Sequence, residues 1–549
     1  MKTKKLSLFL VMILALSTFL AACSGDDKKA GTNGSKEGKN EQVLNLISTA
    51  EIPNMDSALA TDSVSFLVFN NVYEGLYRLG EGDKIEEGVA EGDPQVSEDG
   101  KTYTFKLRQD AKWSNGDPVT AKDFVYGWQK AVDPATKAEY AYMLYVVENG
   151  QAINEGKKKP SELGVKAIDD YTLEVKLTDA IPYFQSLTVF GTFMPQHEKF
   201  VKDQGKKYGL EADTTIYNGP FKMSEWKHEQ SYTLSKNDQY WDKDTVKLKT
   251  INFKIVKDTN TMINLYETGK VDRVGLTAEH VDKYKDSKEF LTEKDTSVYF
   301  LRFNQKNKDL ANVNIRKAID MAYDKKAFVD TILNNGSVPA YYLVPSDFVK
   351  GPDGKDFRDA NGDMNVTNKD EAKKLWEKGL KEIGKDKVTL ELLNYDGDDA
   401  KKSGEFLKDQ LETNLPGLTV TLKQQPFKQK LDLESNMNYD FSYAGWGPDY
   451  QDPMTFIDMW VTGGAHNQMN YSNKEYDKLV KDAGSTLLQD PQKRWDALQK
   501  AEKILIEQDA AISPIYQRGL SFLMKNKVKN LYNHSFGGDY SYKWVEIQE

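Results

Sequence analysis

Apolar and polar positions alternate with a period of two in several short stretches of the chain. "YTFKLR" (103–108) and "TLEVKL" (172–177) place apolar residues at every second position, as strands with one buried face do. "VLNLIST", from Val43, opens the folded part as a further strand. Elsewhere the period lengthens to that of a helix. "AKDFVYGWQKAV" predicts a helix behind an N-cap at Thr120, where a side-chain oxygen can meet the free amides of the first turn. "VNIRKAIDMAYDKKAFVDTILNNG" (313–336) predicts one long amphipathic helix ended by Gly336. "DEAKKLWEKGLKEIG" and "QKRWDALQKAEKILIEQD" predict two more. "VTLELLNYDG" and "LTVTLKQQPF" flank another helical stretch, and a strand–helix–strand order favours parallel pairing. The chain is therefore mixed α/β, with no visible internal repeat.

The N-terminus departs from this patterning. Lys2, Lys4 and Lys5 precede an apolar run over 6–20 that ends in "LAAC". The run is too short and wrongly flanked to span a bilayer, so it reads as an export signal covering 1–22. Small residues ahead of Cys23 fit a lipoprotein signal, in which the thiol is acylated and becomes the new N-terminus. Cys23 is the single cysteine of 549 residues, which excludes an intramolecular disulfide and a cysteine-based metal cluster. Residues 24–42 are polar and without aromatics, the composition of a disordered tether. Its root-mean-square reach is on the order of 24 Å. A globular body held at the extracellular face of a cell membrane through the lipid alone is the expectation, and the low arginine use points to a Gram-positive surface.

Charge and candidate chemistry narrow the function. The formal net charge of -10 argues against nucleic acid, which wants a basic face. Many of the 29 Tyr and 9 Trp belong to the core, but such residues also line ligand clefts, where an apolar body and a polar tip are both useful. Catalytic motifs fail. "HEKFV" at His197 and "HEQSY" at His228 have Val201 and Tyr232 where a zinc site needs its second His. "DANGDMNVTNKD" (359–370) has calcium-loop spacing at three positions, but Met364 stands at the sharp turn and Asp370 at the bidentate position. No cofactor, metal set or catalytic residue is expected. Carboxylates are plentiful, so a glycosidase pair stays open.

From Glu74 onward a series of blocks occurs in order: "YEGLYRL", "VAEGDPQVSEDGKTYTFKLRQDAKWSNGDPVTAKDFVYGWQKAVDP", "LGVKAIDDYTLEVKL", "YNGPFKMSEW", "NDQYWD" and "AGWGPDYQDPMTF". The chain from 43 to 549 resembles the oligopeptide-binding proteins of ABC importers, the family 5 solute-binding class that also holds dipeptide and nickel binders. The resemblance implies a periplasmic-binding-protein-like two-lobe α/β fold (type II, cluster C) with an extra domain inserted in lobe one. Lobe one would combine 43–73, 197–295 and 516–549, the inserted domain 74–196, and lobe two 296–515. It implies a monomer that takes an oligopeptide between closing lobes and passes it to the permease and ATPase subunits of an importer.

The resemblance also assigns residues. Asp449 matches the aspartate that takes the peptide α-amino group, with Trp446 and Gly445 as ligand-contacting neighbours. Thr61, Asp62 and Ser63 fall on a loop that pairs with ligand backbone, Tyr140 on a cleft tyrosine, and Leu276, within 274–277, on a strand edge. Tyr299 and Phe427 fall on aromatic positions around the cleft. Tyr443 and Glu434 stand where some relatives carry arginines for the carboxylate of short peptides, so a fixed carboxylate clamp is not expected. His466 reads as a loop histidine. The same fold binding a signalling peptide, haem, a nickel chelate or an oligosaccharide stays open, as does a surface hydrolase.

Overall fold

A computed structural model describes residues 41–548 of the chain. Three sheets carry the architecture. In the first, Val43–Ser48 lies parallel to Thr250–Ile255, which is followed outward by Ser231–Lys236 and Phe221–Lys227, both antiparallel. A second, antiparallel sheet orders Gln95–Val96, Thr102–Lys106, Thr172–Lys176 and Val165–Asp169. Both contribute to the largest core, where Leu46, Phe105, Trp113, Trp128, Leu173 and Phe253 are buried. The helix Ala121–Val132 covers this sheet. Thr120 stands at the expected N-cap, and Asp123 accepts from its amide at 2.7 Å, closing a capping box.

The third sheet has seven strands. Its order runs Arg273–Gly275, Ile512–Met524, Phe290–Phe303, Phe441–Trp446, Val388–Tyr395, Leu418–Gln425, with Val338–Pro339 also against Ile512–Met524. The expected crossover is present: Val388–Tyr395 and Leu418–Gln425 pair in parallel across the helix Asp398–Asn414. Leu301, Ile319, Trp376, Leu390, Leu407 and Val420 form its core. Phe290–Phe303 and Ile512–Met524 are the long strands of the molecule. Their ladder breaks between Lys294 and Val298, where Arg518 pairs with Asp295 at 3.4 Å. The chain crossings expected at Asp295/Thr296 and Ile515/Tyr516 fall inside these strands and not in loops.

One predicted helix is corrected. The stretch 313–336 is not continuous: Val313–Ala322 ends at Tyr323, which is extended at φ -112° and ψ 149°. Asp324 then caps a new start by accepting from the Ala327 amide at 2.9 Å. The break is held by one long-range bond and one local pair. The Tyr323 hydroxyl meets Ser513 at 2.6 Å, and the fully buried Lys325 pairs with Asp320 at 2.9 Å. Asn334, at φ 42°, ends the second segment ahead of Gly336.

Candidate functional site

The strand Phe441–Trp446 builds the site. It pairs with Phe290–Phe303 along its whole length, Trp446 opposite Val298 and Phe441 opposite Phe303. Its other flank meets Val388–Tyr395 only at Phe441 and Ser442. Over 443–446 that flank has no strand against it among the described residues, and an extended chain lying there would continue the sheet. Gly445 is a glycine because the Tyr299 ring lies on it: a Cβ would sit 2.8 Å from Tyr299 Cε1. Tyr299 stacks on Tyr516 at 4.8 Å and leans on Tyr443 at 5.7 Å. Tyr395, 6.2 Å from Tyr443, and Phe427, 5.9 Å from Tyr395, extend the aromatic wall.

After Trp446 the chain turns through Gly447 and Pro448 to Asp449. Thr455 pins the turn, its carbonyl accepting from Trp446 Nε1 at 3.0 Å and its hydroxyl from the Asp449 amide at 2.9 Å. The Asp449 carboxyl is buried. Oδ1 accepts from the Tyr140 phenol at 3.3 Å, and Oδ2 has no partner. Burial, with the charge of Asp458 behind it, holds the Asp449 pKa well above the carboxylate range; the Tyr140 bond works the other way. A buried acceptor left bare is unfavourable, and a cation carrying N–H donors relieves it. Tyr140 lies parallel to Trp446 at 6.3 Å. His466 packs edge-on against the rings, 4.7 Å from Tyr140, 5.4 Å from Tyr142 and 4.9 Å from Trp446. Burial pushes its pKa down to about 3, so the imidazole is neutral, and Nε2 has no partner.

Asp449, Trp446, Gly445, Tyr443, Tyr140 and Tyr299 thus form one connected group that Phe427 extends. Thr61, Asp62 and Ser63 stand at the start of the helix Ser63–Val72, whose Phe66 packs on Tyr140 at 5.5 Å. Asp62 is the cap of that helix. Its two oxygens accept from the Ser65 amide and hydroxyl, each at 2.8 Å, and burial raises its pKa to about 6. Its carboxylate is therefore engaged inside the protein, while Ser63 is exposed. Leu276 does not join by its side chain, which packs with Ile263, Val274 and Val281 in a small separate core. The adjacent strand Arg273–Gly275 is a sheet edge, and a Cβ on Gly275 would meet nothing within 4 Å. Cys23 lies outside the described residues.

Glu434 is not a bare acid. One turn away on the helix Phe427–Ser435, Lys430 donates to it at 2.8 Å, and the Ser442 hydroxyl donates as well. Both partners are buried, and Lys430 stands 4.3 Å from the Tyr395 ring. Lys430 and the nearby Arg302 hold the Glu434 pKa down against its burial. Lys430, Arg302, Tyr142, Asp458 and the packing of His466 escaped sequence reasoning. A signal existed for two of them: Asp458 is an acid inside the apolar run "MTFIDMW", and Lys430 stands four residues before Glu434.

A Ser–His–Asp chain does occur. His534 Nε2 is 2.7 Å from Ser541 Oγ, and Nδ1 is 3.1 Å from Asp83. The order is that of a hydrolase triad, but Ser541 and the His534 side chain are both fully buried, and Asn70 also donates to Ser541 at 3.1 Å. This chain ties the C-terminal segment to the helix Ser63–Val72.

A buried acid with one free oxygen, an open strand flank and an aromatic wall thus lie together on the α/β scaffold. The chain belongs to the family described as "Bacterial extracellular solute-binding proteins, family 5 Middle", which matches residues 84–468. It is 37% identical over 529 residues to the dipeptide-binding protein DppE of Bacillus subtilis, covering 96% of each chain. The substrate-binding domain of an oligopeptide ABC transporter from Bacillus anthracis superposes with a TM-score of 0.91 at 50% identity, covering 93% of this chain and 99% of that one. OppA of Listeria monocytogenes, solved bound to peptide, gives 0.90 at 48% identity over 93% and 100%.

Proposed function

We propose that the protein captures oligopeptides from outside the cell and delivers them to an ABC permease. The observation that carries this reading is the unpartnered, buried Oδ2 of Asp449 at the end of the open flank of 443–446. A peptide has the two features that such a site asks for, an α-ammonium and an extended backbone. Its strand would pair with 443–446, its ammonium would meet Asp449, and its side chains would lie among the aromatic rings. The relatives named for dipeptide and oligopeptide binding support the same class.

In this reading the lobes follow the division given above, and the broken ladder beside Asp295 and Arg518 is where they bend. Contacts across the division agree with a closed arrangement. Lys257 pairs with Asp396 at 2.8 Å, Lys402 with Glu279 at 3.2 Å, and Lys428 donates to the Pro53 carbonyl at 3.4 Å. Lipid on Cys23 would hold the body at the membrane. No helix among the described residues is long and apolar enough to cross a membrane.

Mass spectrometry of protein purified gently from cells tests the ligand class. A mixture of short peptides released on denaturation is expected; a single metal complex or sugar, or turnover of a glycoside, would overturn it. Metabolic labelling with a tagged fatty acid tests the anchor, since Cys23→Ser should lose the label.

A further inference from the structure

Behind Asp449 lies a second acid without a counter-charge. Asp458 follows the short helix Met454–Ile457; its Oδ2 accepts from the Tyr450 hydroxyl at 3.1 Å, and its Oδ1 is buried and unpartnered. Burial pushes its pKa up to about 7. A third acid, Asp452, is balanced, because Arg494 grips both its oxygens at 2.8 and 2.7 Å. Among the described residues no cation pairs with Asp449 or Asp458, and none offsets the effect of burial on either. Tyr142 stands near both acids. Burial raises its pKa far above the tyrosine range, helped by the charges of Asp458 and then Asp449, and its hydroxyl has no partner. His466 packs on Tyr142 with Nε2 bare. Four buried polar atoms (Asp449 Oδ2, Asp458 Oδ1, Tyr142 Oη and His466 Nε2) therefore lack partners in one neighbourhood. Buried polar atoms are nearly always bonded, so this group marks a place where the donors of a ligand belong.

On the peptide-receptor reading, we propose that the first side chain of a bound peptide enters beside Tyr142 and His466, and that Asp458 selects a cationic one, lysine or arginine. The argument is a count of charges. The α-ammonium compensates Asp449 alone. His466 is neutral, Arg494 is taken by Asp452, and the charge of Arg302 acts on Glu434 and Glu139. A neutral first side chain gives Asp458 no counter-charge, and an acidic one brings a negative charge beside two acids that burial already keeps from ionising. An N-terminal lysine or arginine brings both missing charges in one residue, and a desolvated charge pair discriminates strongly.

The test uses pentapeptides identical from the second residue on, starting with lysine, norleucine or glutamate, titrated into the full chain. Lysine should bind about tenfold tighter than norleucine, and glutamate should bind weakest. In Asp458→Asn the gap between lysine and norleucine should close to within about twofold. Equal binding of all three by the wild type, with N-acetylation weakening each, would overturn this inference and leave the receptor reading standing. Binding of none of them would overturn both. A lysine preference that persists in Asp458→Asn would take the selection away from Asp458. Should that variant fail to fold, the wild-type series alone decides.

Discussion

The Tyr140 phenol donates to one oxygen of Asp449 at 3.3 Å and leaves the other with no partner inside the protein. The tyrosine orients the acid without neutralising it. Asp449→Asn should weaken peptide binding by more than about tenfold, since a hydrogen bond to a charged group contributes roughly 1.5–3 kcal/mol. Calorimetry with a peptide and its N-acetyl form checks the role. Acetylation should harm the wild type greatly and the variant little, and equal behaviour of both proteins toward both ligands would rule out Asp449 as the ammonium partner.

The two raised acids make the site pH-sensitive in a defined direction. A carboxyl whose folded pKa lies above its unfolded value of about 3.9 holds more protons folded than unfolded between the two values. Its contribution to stability therefore falls as pH rises through that window, which for Asp458 closes at about 7. Lowering the pH from about 7.5 to about 5 should raise the melting temperature of the empty wild type relative to Asp449→Asn/Asp458→Asn. An ammonium favours ionised Asp449, so peptide should raise the melting temperature more near pH 7.5 than near pH 5. Thermal melts with and without peptide at both pH values decide this, and a larger peptide effect at the lower pH would contradict it.

Gly445→Ala should act through Tyr299. The new methyl would lie 2.8 Å from the ring, which Tyr516 backs at 4.8 Å. Overpacking of this kind costs about 1–3 kcal/mol. Denaturant unfolding should show the loss, and Tyr299→Ala in the same chain should make the glycine substitution nearly neutral. Additive effects in that cycle would show that the ring is not what requires the glycine.

Lys430→Met should be among the more damaging single changes near the cleft, by roughly 3–5 kcal/mol, because it leaves Glu434 buried and charged. Replacing both, as Lys430→Met/Glu434→Leu, should recover most of that loss. Urea unfolding of the two variants measures it. A double variant as unstable as the single one would mean that the damage is to packing and not to charge.

The sequence by itself determined the local elements and the family. Strand periodicity over 103–108 and 172–177, the helix start at Thr120 and the crossover around Asp398–Asn414 depend on neighbours a few residues away, and each is found where the pattern puts it. The assignment of Asp449 came from a block of motif and not from its chemistry, since an acid in a Gly/Pro turn has no special meaning until its surroundings are known. Tertiary structure decided the rest. The 313–336 helix breaks because Ser513 and Asp320 bind Tyr323 and Lys325, a competition that helical periodicity does not contain. Asp62 and Asp449 are both acids in loops, yet one is satisfied by Ser65 and the other lacks a partner at Oδ2. Glu434 has its charge balanced by Lys430, while Asp458 has no such neighbour. Whether a buried charge is compensated depends on groups brought within a few ångströms by the fold, and for Asp449 and Tyr140 those groups lie hundreds of residues apart in the chain.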